Sequence, residues 1–402
     1  MAARPRRWDR GGMLTNLARA AFGVIALRVL DDTVLQPPAG VPVTERPLAA
    51  LVPLALLALA AYAYPRLPNA ARAALAVTTG VLGLAAGLDA VYYTREVGLS
   101  ADDVTGWLAL PAALALIGVG IAEWWRSQRR LATAAVGLVA LLFGVVPFAT
   151  AYVKAHVASA TVPEPTFAHE DVTFRSSDGL ALKGWYVPSR NGKAVIVFPG
   201  RKGPQAHARM LARHGYGVLL FDRRGEGVSE GQPNTMGWGG EADIRGAVAF
   251  LEGRGITRIG GLGLSVGGEM MLEAATKADG LDAVVSEGAG ARTMAEAIDR
   301  PGMSTPERAI GVIQYAAHDL GLFLATGDTP ARHLDGLTGR IEQPTLLIAA
   351  PRTPNGETLN RVYAQGSDAD LWEIPEARHI KGIEARPAEY ERRVTRFFDQ
   401  AL

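Results

Sequence analysis

The chain has 402 residues, a formal net charge of +1, no cysteine, 49% hydrophobic residues and a mean hydropathy of +0.11. Balanced charge leaves no electrostatic footprint for nucleic acid. The lack of cysteine excludes disulfides, thiolate metal ligands and a cysteine nucleophile.

The apolar excess is uneven. It lies in the first 153 residues, so the sequence divides into a membrane half and a soluble half. A basic leader carries Arg4, Arg6, Arg7 and Arg10. Five apolar runs follow: Met13 to Leu30, Pro47 to Tyr64, Ala73 to Tyr93, Val104 to Trp125 and Leu131 to Val153. A bilayer span needs about 20 helical residues, which runs two to five satisfy. The first run contains Arg19 and Arg28, each costing about 2.5–3.5 kcal/mol at the bilayer centre, which counts against it.

Loop charges decide for it. With the first run spanning, Arg66, Arg72, Arg126, Arg129 and Arg130 share a side with the leader, and Asp31, Asp32, Asp102 and Asp103 lie opposite. That is a positive-inside pattern. The expectation is five spans, a cytoplasmic N-terminus and a multi-pass cell-membrane protein whose C-terminal half is extracytoplasmic. The first run has no small-residue cleavage site, which argues against a signal peptide. Trp8, Tyr62, Tyr64, Tyr92, Tyr93, Trp107, Trp124 and Trp125 fall near span ends, as an interfacial belt requires. Arg19, Arg28, Asp89 and Glu123 are the intramembrane charges. They read either as a relay through the bundle or as snorkelling groups and an Arg–Asp pair between helices.

Past a stiff segment with Pro163 and Pro165, the periodicity changes from helix to strand. Val172 to Arg175 and Leu180 to Val187, around Asp178-Gly179, read as a β-hairpin. Ala194 to Phe198, Tyr216 to Asp222, Ile256 to Leu262, Leu281 to Ser286, Thr345 to Ala349 and Leu371 to Ile374 read as further strands. Helices are expected over Gln205 to His214, Glu241 to Leu251, Glu269 to Lys277 and Arg386 to Leu402. Alternating strands and helices imply a doubly wound, mostly parallel α/β sheet. Two near-matches to a dinucleotide fingerprint, Gly261/Gly263/Gly267 and Gly225/Gly227/Gly231, have a residue too many before the last glycine.

The chemistry concentrates at Gly263-Leu264-Ser265-Val266-Gly267, between a strand and a helix. A serine at such a turn takes a strained backbone, so Gly263 and Gly267 must be small. The turn lifts the hydroxyl clear of the sheet, and the Val266 N–H at the helix start points where an oxyanion would form. This stretch resembles the nucleophile elbow of the α/β-hydrolase superfamily. The order and spacing of elements resemble that fold over nearly all of residues 166–402. The hairpin Asp178-Gly179 with Gly184-Trp185-Tyr186 is similar to the prolyl-oligopeptidase and dienelactone-hydrolase branch.

The resemblance implies site residues and boundaries. It implies a histidine base after the last strand, which is His379. It implies a second oxyanion N–H from the loop Pro199 to Gly203, assigned to Arg201. It implies an acid beyond the seventh strand, where no aspartate stands and Glu357 is the first carboxylate. Glu287, at the end of the sixth strand, is the second candidate, because some relatives place the acid there. The domain reading is a helical membrane domain of about five spans over 1–155, a linker over 156–166 and the hydrolase domain over 167–402. Residues 289–340, with an apolar helix or two from Ala309 to Leu324, read as a lid over the acyl pocket or as an extra helical layer.

The leading function is a membrane-anchored serine hydrolase acting on an ester, thioester or amide through an acyl-enzyme. The alternatives are an acyltransferase on the same fold, and a transport or scaffold protein with a weakened hydrolase domain. The expected partners are the lipid bilayer and a small acyl or amphipathic substrate, with no cofactor and no metal.

Overall fold

The computed structural model describes residues 10–37, 39–41, 44, 47–100, 103–156, 162–198, 205–234, 236–277, 280–300, 302–352 and 357–402. The chain forms two compact units: Met1–Val157 with Ile313–Gly327, and Ala158–Val312 with Asp328–Leu402.

The first unit is helical. It holds α1 (Arg10–Leu30), α2 (Pro47–Ala63), α3 (Asn69–Val97), α4 (Val104–Arg126), α5 (Arg130–Ala140) and α6 (Val146–Lys154). A π-helical turn, Leu141–Val145, joins α5 to α6, and another, Asp31–Leu35, extends α1. Small residues let α3 and α4 approach closely. A Cβ on Gly80 would lie 2.9 Å from the Ala113 carbonyl oxygen, and one on Gly87 2.9 Å from that of Gly106. Phe22, Tyr64 and Leu116 fill the core of this unit. Three of the charges within the apolar runs, Arg28, Asp89 and Glu123, are paired. Arg28 is buried against Asp89, and its Nη2 also lies 3.2 Å from Asp32. Glu123 is fully buried, 3.8 Å from both Arg72 and Arg126. The pairing reading of Arg28 and Asp89 thus describes their geometry. Counting α5 and α6 as one continuous stretch and adding the helix Thr305–Thr326, six described helices are long and apolar enough to cross a membrane.

The second unit is built on one sheet. In chain order it runs β1 (Glu170–Arg175), β2 (Ala181–Val187), β3 (Lys193–Phe198), α7 (Gln205–Arg213), β4 (Gly217–Phe221), α8 (Glu241–Gly253), β5 (Arg258–Leu264) and α9 (Val266–Ala275). It continues with β6 (Ala283–Glu287), α10 (Met294–Ile298), α11 (Thr305–Thr326), α12 (Asp335–Thr338), β7 (Thr345–Ala349), α13 (Leu359–Gln365), β8 (Asp370–Glu373), α14 (Gly382–Ala385) and α15 (Pro387–Ala401). The strands lie in the order β1-β2-β4-β3-β5-β6-β7-β8. The β1–β2 and β2–β4 pairs are antiparallel, and all others are parallel.

The parallel strands are continuous apolar runs because both faces are covered. On β3, Ala194, Ile196 and Phe198 join one core with Ile244 of α8 and Met270 of α9. Val195 and Val197 join the other, with Leu211 of α7 and Phe398 of α15. This is the α/β-hydrolase arrangement, with a helical N-terminal region. The segment 289–340 carries the expected apolar helix as the 22-residue α11, flanked by the short α10 and α12, and its residues 313–327 belong to the first unit.

Candidate active site

Strand β5 runs between β3 and β6 and ends at Leu264, so Ser265 emerges at the carboxyl edge near the middle of the sheet. Its backbone is strained, with φ 55° and ψ −127°. A Cβ on Gly263 would lie 2.3 Å from the Gly267 carbonyl oxygen and 2.6 Å from Gly268 Cα, so only glycine lets α9 fold back this tightly. The turn is pinned on both sides. The Ser265 N–H donates to the Glu287 carbonyl at 2.8 Å, and the Ser265 carbonyl accepts from Gly268 N–H at 2.8 Å. Val266 is the first residue of α9, where a backbone N–H has no acceptor within the helix.

His379 follows β8. Its Nε2 lies 2.9 Å from Ser265 Oγ, and its Nδ1 lies 2.7 Å from Glu357 Oε1. The ring is 29% exposed and the Glu357 side chain 1%, so a shielded carboxylate backs an accessible imidazole. Glu357 Oε2 accepts the Ala350 N–H, which orients the carboxylate from the end of β7. Asn360, at the start of α13, donates to the Glu357 and Ala289 carbonyls at 2.8 Å each and ties the acid's segment to the end of β6.

Glu287 does not reach His379 and is corrected here as a candidate for the acid. Its Oε1 accepts the Gly382 N–H at 2.8 Å, and its Oε2 accepts the Tyr390 hydroxyl at 2.7 Å. His207 Nε2 stands 3.4 Å from Oε2, an ion-pair distance without hydrogen-bond alignment. Burial alone would push the Glu287 carboxyl up; His207, with the Tyr390 and Gly382 donors, more than offsets it and holds the group below its ordinary value. Sequence reasoning missed His207, Tyr390 and Gly382, because nothing in their spacing signals that they converge. Arg201 and the loop around it lie outside the described residues.

Beneath the elbow, burial raises the carboxyl of Glu269 above its ordinary value, partly offset by Arg292 and by the Gly290 N–H. Among the described residues, Glu296, His333 and Asp335 bring ligand atoms within 4.8 Å of one another. The Glu296 carboxylate is already committed: Oε2 accepts the Arg292 N–H at 3.0 Å, and Oε1 accepts the Leu334 N–H. That commitment suits a loop brace better than a metal ligand.

Three kinds of similarity accompany this geometry. The family described as X-Pro dipeptidyl-peptidase (S15 family) matches residues 146–372, more than half of the chain. A polyketide transferase of Penicillium sp, grgF, is 33% identical over 165 residues, 38% of this chain and 53% of that protein. An uncharacterized protein of Mycobacterium tuberculosis (strain ATCC 25618 / H37Rv) is 36% identical over 156 residues, 36% of this chain and 48% of that protein. The chain thus spans about half the length of the curated relatives it matches. Among solved structures, the Pyrococcus furiosus esterase Pf2001 aligns with a TM-score of 0.49 at 20% identity, covering 61% of this chain and 98% of the esterase.

Proposed function

The chain belongs to the X-Pro dipeptidyl-peptidase (S15) family and is a serine hydrolase, and on that premise we propose that it is membrane-anchored and cleaves an ester, thioester or amide through an acyl-enzyme. The observation that carries the mechanism is the run of two contacts, Ser265 Oγ to His379 Nε2 at 2.9 Å and His379 Nδ1 to Glu357 Oε1 at 2.7 Å. A serine hydroxyl is a weak nucleophile until a base takes its proton. As Ser265 Oγ bonds to the substrate carbonyl carbon, His379 Nε2 accepts the proton, and Glu357 steadies the imidazolium. The Val266 N–H, with that of Arg201, receives the negative oxygen. The tetrahedral species collapses, His379 returns the proton to the leaving oxygen, sulfur or nitrogen, and an acyl-Ser265 remains. Water, deprotonated by the same ring, then attacks the acyl carbon, and as the acid leaves His379 returns the proton to Ser265 Oγ.

Anchoring draws on the long apolar helices of the N-terminal unit and on the arginine bias of their loops. A bilayer and an amphipathic acyl substrate are the partners this reading assigns. Transfer to an acceptor other than water is the second reading, favoured by the transferase name of the Penicillium relative. The Glu357–His379 contact speaks against a weakened domain serving transport or scaffolding. The test is fluorophosphonate labelling of the full-length protein in detergent, followed by hydrolysis of a p-nitrophenyl acyl ester and an X-Pro anilide. The wild type labels and turns over at least one of them, and Ser265→Ala does neither. A label that survives Ser265→Ala overturns the assignment.

A further inference from the structure

We propose that Glu287 is a positioning residue, whose carboxylate holds the strained turn carrying His379 and so sets the imidazole's alignment on Ser265. This rests on the assignment of Ser265, His379 and Glu357 made above. Only two non-glycine residues among those described have positive φ: Ser265 and Ile380, at 55° and 51°. Ile380 directly follows His379. A β-branched side chain is poorly suited to that region, so something must hold the turn there. Its own closure is one hydrogen bond, from Lys381 N–H to the Arg378 carbonyl at 3.0 Å.

The Glu287 carboxylate supplies the rest. Gly382, two residues beyond Ile380, donates to Oε1 at 2.8 Å, and Tyr390 of α15 steadies Oε2 at 2.7 Å. The acid is 2% exposed, and His207 Nε2 of α7 stands 3.4 Å from its Oε2. The same residue's carbonyl receives the Ser265 N–H at 2.8 Å. Glu287 therefore fastens the nucleophile's backbone with its main chain and the base's turn with its side chain. Gly288 completes the arrangement: a Cβ there would stand 3.2 Å from His379 Cε1, so the strand end underlies the ring. A buried carboxylate with two oriented donors, at the joint between two reacting groups, is built for placement rather than proton transfer.

The experiment compares Glu287→Ala, Glu287→Gln and Tyr390→Phe in the full-length protein, each also in an Ile380→Asn background, since asparagine tolerates positive φ better. Three quantities are read: the fluorophosphonate labelling rate, the kcat and KM for a p-nitrophenyl ester, and the thermal midpoint. Misplacement of a reacting group by about 1 Å costs on the order of 100-fold in rate. Glu287→Ala should therefore lower kcat and labelling by about that factor with KM little changed, while Glu287→Gln, which keeps the acceptor oxygen, rescues to within about tenfold. With Ile380→Asn the Glu287→Ala loss should shrink, because the relaxed turn needs less holding. A loss of equal size in both backgrounds, tracking the thermal midpoint, overturns the proposal, and so does a folded Glu287→Ala that labels at the wild-type rate. If Glu287→Ala does not fold, Tyr390→Phe decides: a several-fold loss in kcat that Ile380→Asn relieves supports the proposal, and an unchanged kcat overturns it. A label that persists in Ser265→Ala would instead bring down the reading on which this one rests.

Discussion

An imidazole between a hydroxyl and a buried carboxylate has its tautomer chosen for it. With Glu357 accepting at Nδ1, the proton sits there and Nε2 is left with a lone pair facing Ser265. Glu357→Gln keeps the volume but offers an N–H as well as an oxygen. The ring can then receive at Nδ1 and present Nε2–H to the serine, which is the wrong form for a base. The expected result is a fall in kcat of about 10³–10⁴-fold with little change in thermal midpoint. Ester hydrolysis and differential scanning measurements on the same preparation check it, and activity above a tenth of wild type would mean that another carboxylate backs the ring. The acid is also where sequence reasoning met its limit. Glu287 ends β6 and Glu357 stands just before α13, and both are nearly fully buried. What separates them is direction: Glu357 faces the ring, and Glu287 faces Gly382 and Tyr390. Direction depends on residues 22 and more positions away in the chain, which no local pattern encodes.

Strands and the elbow were legible because their physics is local. Each of the eight strands lies within about two residues of its expected position, since a strand covered on both faces must be a short apolar run. The junction of β5 and α9 is the tightest of these joints. Gly263→Ala would bring a methyl within 2.3 Å of a backbone oxygen that cannot swing aside. Overpacking of this kind costs about 1–3 kcal/mol. The expected outcome is a lowered thermal midpoint together with slower fluorophosphonate labelling, since the same shift moves Ser265; an unaltered midpoint would show that the joint has slack. The end of β4 carries a pH dependence of its own. Asp222 accepts the Val162 N–H at 2.6 Å, and burial, with Glu226 nearby, pushes its carboxyl up from 3.8 to about 6. An acid whose folded value lies above its unfolded one binds more protons when folded. Its stabilisation is complete below the unfolded value of 3.8 and is lost as pH rises through about 6. Asp222→Asn has no such titration. The difference in thermal midpoint, wild type minus variant, should therefore fall between about pH 4 and about pH 7. A difference that stays flat would place the carboxyl at its ordinary value.

At the scale of the whole chain, α11 poses the topological question. Sequence periodicity indicated an apolar helix there without fixing its length, and the structure makes it 22 residues, one of six long enough to cross a bilayer. Connectivity forbids a simple crossing. It lies between β6 and β7, which are hydrogen-bonded neighbours in one sheet. Its flanks also meet: Thr293 Oγ1 and His333 Nδ1 are 2.7 Å apart. An α-helix of this length spans about 33 Å. A crossing would force the chain back through the hydrocarbon as extended backbone, with its polar groups unsatisfied. The apolar residues Ile310, Ile313 and Leu320 are exposed along it, which suits a helix lying in the interface rather than across it. The proposed five-span topology therefore expects both ends of α11 on one side of the membrane. A chain without cysteine makes the test clean, because each introduced thiol reports alone. Glu307→Cys, Thr329→Cys and Asp368→Cys, all at exposed positions, should react with a membrane-impermeant maleimide in right-side-out cells, and Arg129→Cys should react only after permeabilisation. Reaction at Glu307→Cys with protection at Thr329→Cys, or the reverse, would mean that α11 crosses. Protection of all three with Arg129→Cys exposed would invert the whole orientation and put the serine on the cytoplasmic side.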